Sequence, residues 1–137
     1  MEEVVHATGH EHVTASHEST FELTSDDFLT PAGDCILGIE ADRTPAAFDS
    51  EFVAACQSPD ATIVAVFETP SRSMRVEGRG DPELTFESDR SLVGRTSDYV
   101  DDRTIMVGAD AAAAEFDREL VDALADGAPV TLTLTVE

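Results

Sequence analysis

One segment of the sequence occurs twice, and this repeat divides the chain into two similar halves. Residues 41–55 read ADRTPAAFDSEFVAA, and residues 109–123 read ADAAAAEFDRELVDA. A constant shift aligns Phe48 with Phe116, and in both copies the apolar residues recur at helical spacing. Each copy is therefore predicted to be a helix with one buried stripe. We predict a single domain, 1–137, built from internal repeats at about 4–69 and 75–137.

Strand patterns flank both predicted helices. The helices are expected to begin at Thr44 and Asp110, where a capping residue precedes the apolar stripe. Strands are predicted at Val4–Thr8, Val13–Thr24, Cys35–Ala41, Ala61–Phe67, Met74–Glu77, Glu83–Glu87, Thr104–Ala109 and 130–136. Each half thus has the order strand, strand, strand, helix, strand. The predicted fold is α+β: one curved mixed sheet or a partly closed barrel, with two covering helices.

The charge balance limits the partners that the chain can bind. It has 29 acidic residues against 8 basic ones, a formal net charge of −21, and every basic residue is arginine. Such a surface repels nucleic acids and anionic membranes, so we expect neither as a partner. Salt at molar concentration screens self-repulsion, so the composition predicts a fold that needs high salt for stability.

The remaining composition favours a soluble, cytoplasmic protein. No apolar run approaches the roughly 20 residues of a membrane span, and the N-terminus lacks the pattern of a secretory signal. Two cysteines, Cys35 and Cys56, are too few for a disulfide framework and fit a reducing compartment.

The two halves differ most in their histidines, which all lie within the first seventeen residues. His17 aligns with Ser88, and the alternation of Val13–Thr24 places it on the apolar face, where an imidazole needs a hydrogen-bond partner. One interpretation is a core histidine bonded to a neighbouring hydroxyl or carbonyl. The other is a general base or metal ligand, with Asp34 as its partner, at a cleft between the halves.

A metal site is the second hypothesis for the histidines. His10 and His12 could bind a divalent metal together, joined by His17, Asp34 or Cys35. The alternative is that His10 and His12 are solvated loop residues, because the spacing H-x-H also occurs without a metal. The sequence identifies no other cofactor.

A ligand site could form between the loop Thr30–Cys35 and an arginine. Arg95 and Arg103 are scarce cations suited to a carboxylate or phosphate, or else they form ion pairs with nearby aspartates. Cys35 is a weak candidate nucleophile, since acidic surroundings raise the pKa of a thiol.

Four runs, GHEHVTASHEST, LTPAGDCILGIEAD, RTSDY and RTIMVGAD, resemble the archaeal family called domain of unknown function 371. The similarity covers nearly the whole chain and implies an archaeal, cytoplasmic protein, here with the composition of a halophile. The family brings no assigned activity, but the resemblance supports the choice of site residues. The matching positions are Gly9, His10, His17, Thr30, Pro31, Gly33, Asp34, Cys35, Arg95, Ser97 and Asp98.

Together these features predict a module that binds one small polar or anionic ligand in the N-terminal half. The predicted binding residues are His10, Thr30, Gly33, Cys35, Arg95 and Ser97. A second hypothesis is an enzyme, hydrolase-like or metal-assisted, with His17 and Asp34 as its catalytic residues at the same site. A third is a scaffold that acts through its surface and binds no ligand.

Overall fold

The computed structural model describes residues 1–137 and has eight strands and two α-helices. The strands are β1 Glu2–Thr8, β2 Thr20–Thr24, β3 Ile36–Gly38, β4 Thr62–Glu68, β5 Ser73–Arg79, β6 Ser91–Arg95, β7 Thr104–Met106 and β8 Pro129–Val136. The helices are α1 Ser50–Cys56 and α2 Arg118–Ala125, each preceded by one 3₁₀ turn, at Pro45–Ala47 and Ala113–Glu115. The predicted α+β class is confirmed.

The strands form two four-stranded sheets. Sheet A has the order β1-β8-β4-β5 and is antiparallel throughout, whereas sheet B has the order β3-β2-β6-β7 and is mixed. Only isolated bridges, Thr8 with Ile39 and Arg79 with Val107, join their edges. The prediction of one curved sheet or a partly closed barrel is therefore corrected to two sheets, because continuous pairing stops at both junctions.

One cluster of 34 buried apolar residues fills the interior and draws on both sheets and both helices. At its centre the rings of Phe21, Phe67 and Phe116 lie 5.2 to 5.7 Å apart between centroids. They belong to β2, β4 and the residue after the second 3₁₀ turn, so each comes from a different layer. Neither helix is long and apolar enough to cross a membrane.

Two predicted strands are wrong over most of their length. In Val13–Thr24 only Thr20–Thr24 pairs as a strand, and Glu83–Glu87 is a loop that precedes β6. Alternate residues such as Val13 and Ala15 are buried as the pattern requires. However, Ala15 has a φ of 47°, so the backbone leaves the extended conformation. Alternation thus predicted the burial of Val13, Ala15, Phe21 and Leu23, but not of every residue, since Ser19 is exposed and Thr24 is buried, and it did not predict which backbone groups pair.

The predicted helix starts are also corrected. Thr44 precedes the first 3₁₀ turn, and α1 is capped instead by Asp49, whose carboxylate accepts the N–H of Glu51. Asp110 does not cap α2; its carboxylate accepts the N–H of Glu77 on β5, 2.9 Å away. Each predicted helix is split because Phe48 and Phe116 have extended backbones between the 3₁₀ turn and the α-helix.

Backbone hydrogen bonds in one half have counterparts at aligned positions of the other. The N–H of Ala46 in the first 3₁₀ turn donates to the carbonyl of Ser88 at 3.0 Å. In turn, the N–H of Ala114 in the second 3₁₀ turn donates to the carbonyl of His17 at 2.9 Å. Ala15 and Phe86, two residues before His17 and Ser88, both have positive φ. Positions 17 and 88 therefore share these two features of the backbone.

Candidate functional site

His17 lies in a segment without helix or strand structure, residues 13–19, which we call the His17 arm. The N–H groups of Ser16 and His17 both donate to the carbonyl of Asp34, at 2.9 and 3.1 Å. The carbonyl of His17 accepts from Ala114 in the other half of the chain. The arm is thus held between the loop before β3 and the 3₁₀ turn before α2.

The imidazole of His17 is half-buried and has one nitrogen fully engaged. Its Nδ1 accepts the backbone N–H groups of Ser19 and Thr20, at 3.2 and 3.1 Å, and lies 3.0 Å from the Thr20 hydroxyl. Because a backbone N–H can only donate, Nδ1 must be unprotonated, so the neutral ring carries its proton on Nε2. Nε2 has no protein partner, and no buried side-chain nitrogen or oxygen is unpaired, so Nε2–H is accessible to solvent.

Ser88, at the aligned position of the second half, also accepts two backbone N–H groups with its side chain. Its hydroxyl oxygen accepts the N–H groups of Arg90 and Ser91, each at 3.1 Å. Like His17, it therefore bonds the N–H groups two and three residues further along the chain, as serine often does in turns. A hydroxyl suffices for this turn, so the turn alone does not require the imidazole at position 17.

Cys35 follows Asp34 and lies beside β2. Its thiol donates to a carboxylate oxygen of Glu22 at 3.4 Å. Burial, followed by the negative charge of Glu22, raises the pKa of the Cys35 thiol to about 12. The thiol is consequently protonated at neutral pH, which opposes a nucleophilic role and agrees with the sequence argument.

Asp34 is close to His17, but only its backbone contacts the arm. No hydrogen bond joins its carboxylate to the imidazole, so the structure shows no His17–Asp34 side-chain pair. The loop before it is closed by a bond from the N–H of Gly33 to the carbonyl of Thr30, at 2.9 Å. The side chain of Thr30 is exposed. These residues shape the loop that presents Asp34 and Cys35.

Arg95 lies on β6 directly opposite Thr20. Its guanidinium, however, is bound by residues that follow β6 in the chain. It donates to the hydroxyl of Thr104 and the carboxylate of Asp101, both at 2.9 Å, and the ring of Tyr99 stacks on it at 4.8 Å. Arg103 binds the same carboxylate at 2.7 Å. The ion-pair interpretation of the two arginines is therefore the one that the structure shows.

The shared carboxylate of Asp101 is strongly stabilised in its charged form. Although burial raises its pKa, hydrogen bonds from Arg103 and the charges of Arg95 and Arg103 outweigh this and lower the pKa to about 2. Ser97, another predicted binding residue, begins the exposed turn that leads to Tyr99, whose N–H its hydroxyl accepts at 3.4 Å. The side chains of Arg95 and Ser97 thus form hydrogen bonds within the loop after β6.

His10 and His12 form a pair of their own. The Nδ1 of His10 accepts the N–H of His12 at 3.0 Å, and the ring centroids are 5.2 Å apart. No hydrogen bond links either ring to His17. No group of three or more His, Cys, Asp or Glu side chains is arranged to hold a metal ion.

The structure adds two residues that sequence reasoning missed. Thr20 contacts the His17 ring, and Arg118 of α2 bonds the carbonyls of Thr14 and Ala15 in the arm. A signal for Arg118 existed, because it is an arginine aligned with Ser50 in a chain poor in cations. Thr20 had no such signal, since threonine is common on strands.

Two surface clefts lie elsewhere, with volumes of about 350 and 300 Å³. The first is lined by Met1, Glu2, Glu3, Asp49, Glu51 and Phe52, and the second by Glu68, Thr69, Pro70, Pro129 and Thr131. Neither contains a predicted site residue. Both clefts therefore lie away from His17.

Comparison with known proteins agrees with the resemblance noted in the sequence. Residues 5–137 match the family model described as Domain of unknown function (DUF371). The chain is also 34% identical over 136 residues to an uncharacterized protein of the archaeon Methanocaldococcus jannaschii. That alignment covers 99% of this chain and 100% of the relative. The chain therefore belongs to the family known as Domain of unknown function 371.

Proposed function

We propose that this protein is a module that binds one small polar or anionic ligand at the surface around His17. The observation that carries the proposal is the contrast between positions 17 and 88. Ser88 completes its turn with a hydroxyl, whereas His17 completes the same turn and in addition presents an accessible Nε2–H. A half-buried donor in a fixed tautomer is a pre-organised group for an oxygen acceptor.

The surroundings of His17 indicate what the ligand offers. Nε2–H is a donor, so it would contact a carbonyl, hydroxyl, carboxylate or phosphate oxygen. The Thr20 hydroxyl lies beside the ring and can add a second polar contact. The carboxylates of Glu22 and Asp34 close to Cys35 oppose a large negative charge. These charges favour a neutral or singly charged ligand over a highly charged one.

The test replaces His17 with serine, the residue at the aligned position 88 of the second half. His17→Ser should keep the turn, as Ser88 does, while removing Nε2–H. The wild type, His17→Ser and the control His12→Ser would be titrated with acetate, inorganic phosphate, sulfate and glycerol, with the imidazole resonances followed by NMR. We expect at least one probe to shift the His17 resonances, and that probe to bind His12→Ser normally but not His17→Ser.

Two results would contradict the proposal. One is equal binding of the probe by His17→Ser and wild type. The other is the absence of any response at His17 to the whole panel, with His17→Ser as stable as the wild type; this result would favour the scaffold hypothesis.

An enzyme using the same site is the second candidate. It is favoured by the 3.0 Å contact between the Thr20 hydroxyl and Nδ1 of His17, a distance typical of a nucleophile and its base. Two backbone N–H groups already occupy Nδ1, however, and a metal or proton taken up at Nε2 would require the tautomer that breaks both bonds. Binding is therefore the better-supported role. Metal analysis of untagged protein, with and without added Zn²⁺, tests the metal-assisted version.

We also propose that the two halves arose by internal duplication, in a salt-rich archaeal cytoplasm. The matched hydrogen bonds of His17 and Ser88, and of Ala46 and Ala114, support the duplication. The excess of acidic residues and the absence of lysine support adaptation to salt. Two unpaired thiols, Cys35 and Cys56, support a reducing compartment.

A further inference from the structure

Arg118 contacts the His17 arm through backbone carbonyls alone. Its Nη2 donates to Ala15 at 3.2 Å and to Ala113 at 2.9 Å, its Nε to Phe116 at 3.0 Å, and its Nη1 to Thr14 at a longer 3.4 Å. The side chain forms no ion pair, although the chain has 29 acidic residues. Arg118 thus uses the planar fork of its guanidinium to join the arm to the segment before α2.

The arginine connection exists on only one side of the molecule. The position aligned with Arg118 in α1 is Ser50, which makes no side-chain hydrogen bond to the opposite arm. The carbonyls of Thr85 and Phe86, which align with the two arm carbonyls, accept from no side chain. The segment before Ser88 is instead held through the carbonyl of Leu84, which accepts from the side chain of Gln57 at 2.8 Å. The turn at Ser88 therefore forms without an arginine, and the guanidinium restraint occurs only where the imidazole is present.

We infer that Arg118 is a positioning residue for the His17 site, an inference that rests on the proposed function. The arm reaches the second half at three points. The carbonyls of His17 and Ser19 accept from Ala114 and Thr96, and the carbonyls of Thr14 and Ala15 accept from Arg118. Fixing the carbonyls on both sides of the positive-φ turn at Ala15 restricts rotation of the arm. Arg118, a residue of the C-terminal half, thereby restricts the direction of Nε2–H.

The first measurement needs no ligand. Amide hydrogen exchange would be followed by NMR in wild type, Arg118→Ser, Arg118→Lys and the control Arg75→Ser, an exposed arginine that bonds only Glu77. Arg118→Ser, the residue of the aligned position, should speed exchange of the arm amides about tenfold while β4 and β8 keep their rates. Arg118→Lys should restore part of the protection, because an ammonium reaches fewer carbonyls, and Arg75→Ser should match the wild type.

The second measurement determines the tautomer of the His17 imidazole. The ¹⁵N shifts of His17 should report Nε2–H in the wild type and a mixture of tautomers in Arg118→Ser, and the affinity for inorganic phosphate, if it binds the wild type, should fall with them. Unchanged arm exchange in Arg118→Ser would overturn the inference. So would acceleration shared equally by β4 and β8, because Arg118 would then act only on global stability. Failure of phosphate and the other probes to bind the wild type would refute the binding proposal while leaving the exchange result to decide the role of Arg118.

Discussion

The most exacting test of the packing is a single methyl group added at Gly94. A Cβ at this position of β6 would lie 2.0 Å from Cζ and 2.3 Å from Cε2 of Phe21, far inside the 3.4 Å at which ordinary contact begins. Phe21 is only 1% exposed and packs against Phe67 and Phe116. The ring therefore cannot move aside without displacing the centre of the core.

The expected magnitude follows from this confinement. Overpacking a core usually costs 1–3 kcal/mol, and a clash with an immobile ring belongs at the upper end, so Gly94→Ala should lose about 3 kcal/mol, or about 10 °C in Tm. In a Phe21→Leu background the clash is relieved. In that background Gly94→Ala should lower the free energy of unfolding by about 2 kcal/mol less than in the wild type, because residues 94 and 21 are in direct contact.

Equilibrium urea unfolding followed by far-UV circular dichroism, with all four proteins in the same concentrated potassium chloride, gives each free energy of unfolding. A loss below about 0.5 kcal/mol for Gly94→Ala, or additive effects in the double variant, would refute the described contact between Gly94 and Phe21.

Three further predictions concern charge and ionisation. The thiols of Cys35 and Cys56 have pKa values raised to about 12, mainly by burial, so both should react slowly with a disulfide reagent at pH 8 in the folded protein and rapidly once urea unfolds the chain; rapid native-state labelling would contradict the raised pKa values. Asp101→Asn should cost about 2 kcal/mol at pH 7, because the carboxyl pKa is about 2 in the folded protein and near 3.9 unfolded. This contribution is complete above about pH 5 and is lost as pH falls from about 4 towards 2, so variant and wild type should converge there; a pH-independent difference would contradict the ion-pair origin. The Tm should rise strongly between dilute buffer and about 2–3 M potassium chloride as repulsion within the −21 chain is screened, and equal values would contradict the salt-dependent fold.

Alignment of the two halves predicted part of the candidate site. Sequence comparison placed His17 opposite Ser88 and thereby marked the position where the halves differ chemically. It did not predict that both side chains accept the same two backbone N–H groups, because turn hydrogen bonds depend on local dihedral angles that the pattern does not encode. For Arg95 the sequence left open a ligand or an ion pair with a nearby aspartate, and in the structure its guanidinium pairs with the carboxylate of Asp101.

The sequence by itself determined the periodicity of burial and the α+β class. The alternation of β8 and the buried Phe48, Phe52 and Cys56 agree with the pattern, because hydrophobicity belongs to each residue wherever the chain goes. Only the tertiary structure decided where strands and helices begin. The sequence pattern of residues 13–19 is compatible with a strand, but in the structure their backbone bonds to the carbonyl of Asp34 and the side chain of Arg118. Such long-range hydrogen bonds have no local sequence signature.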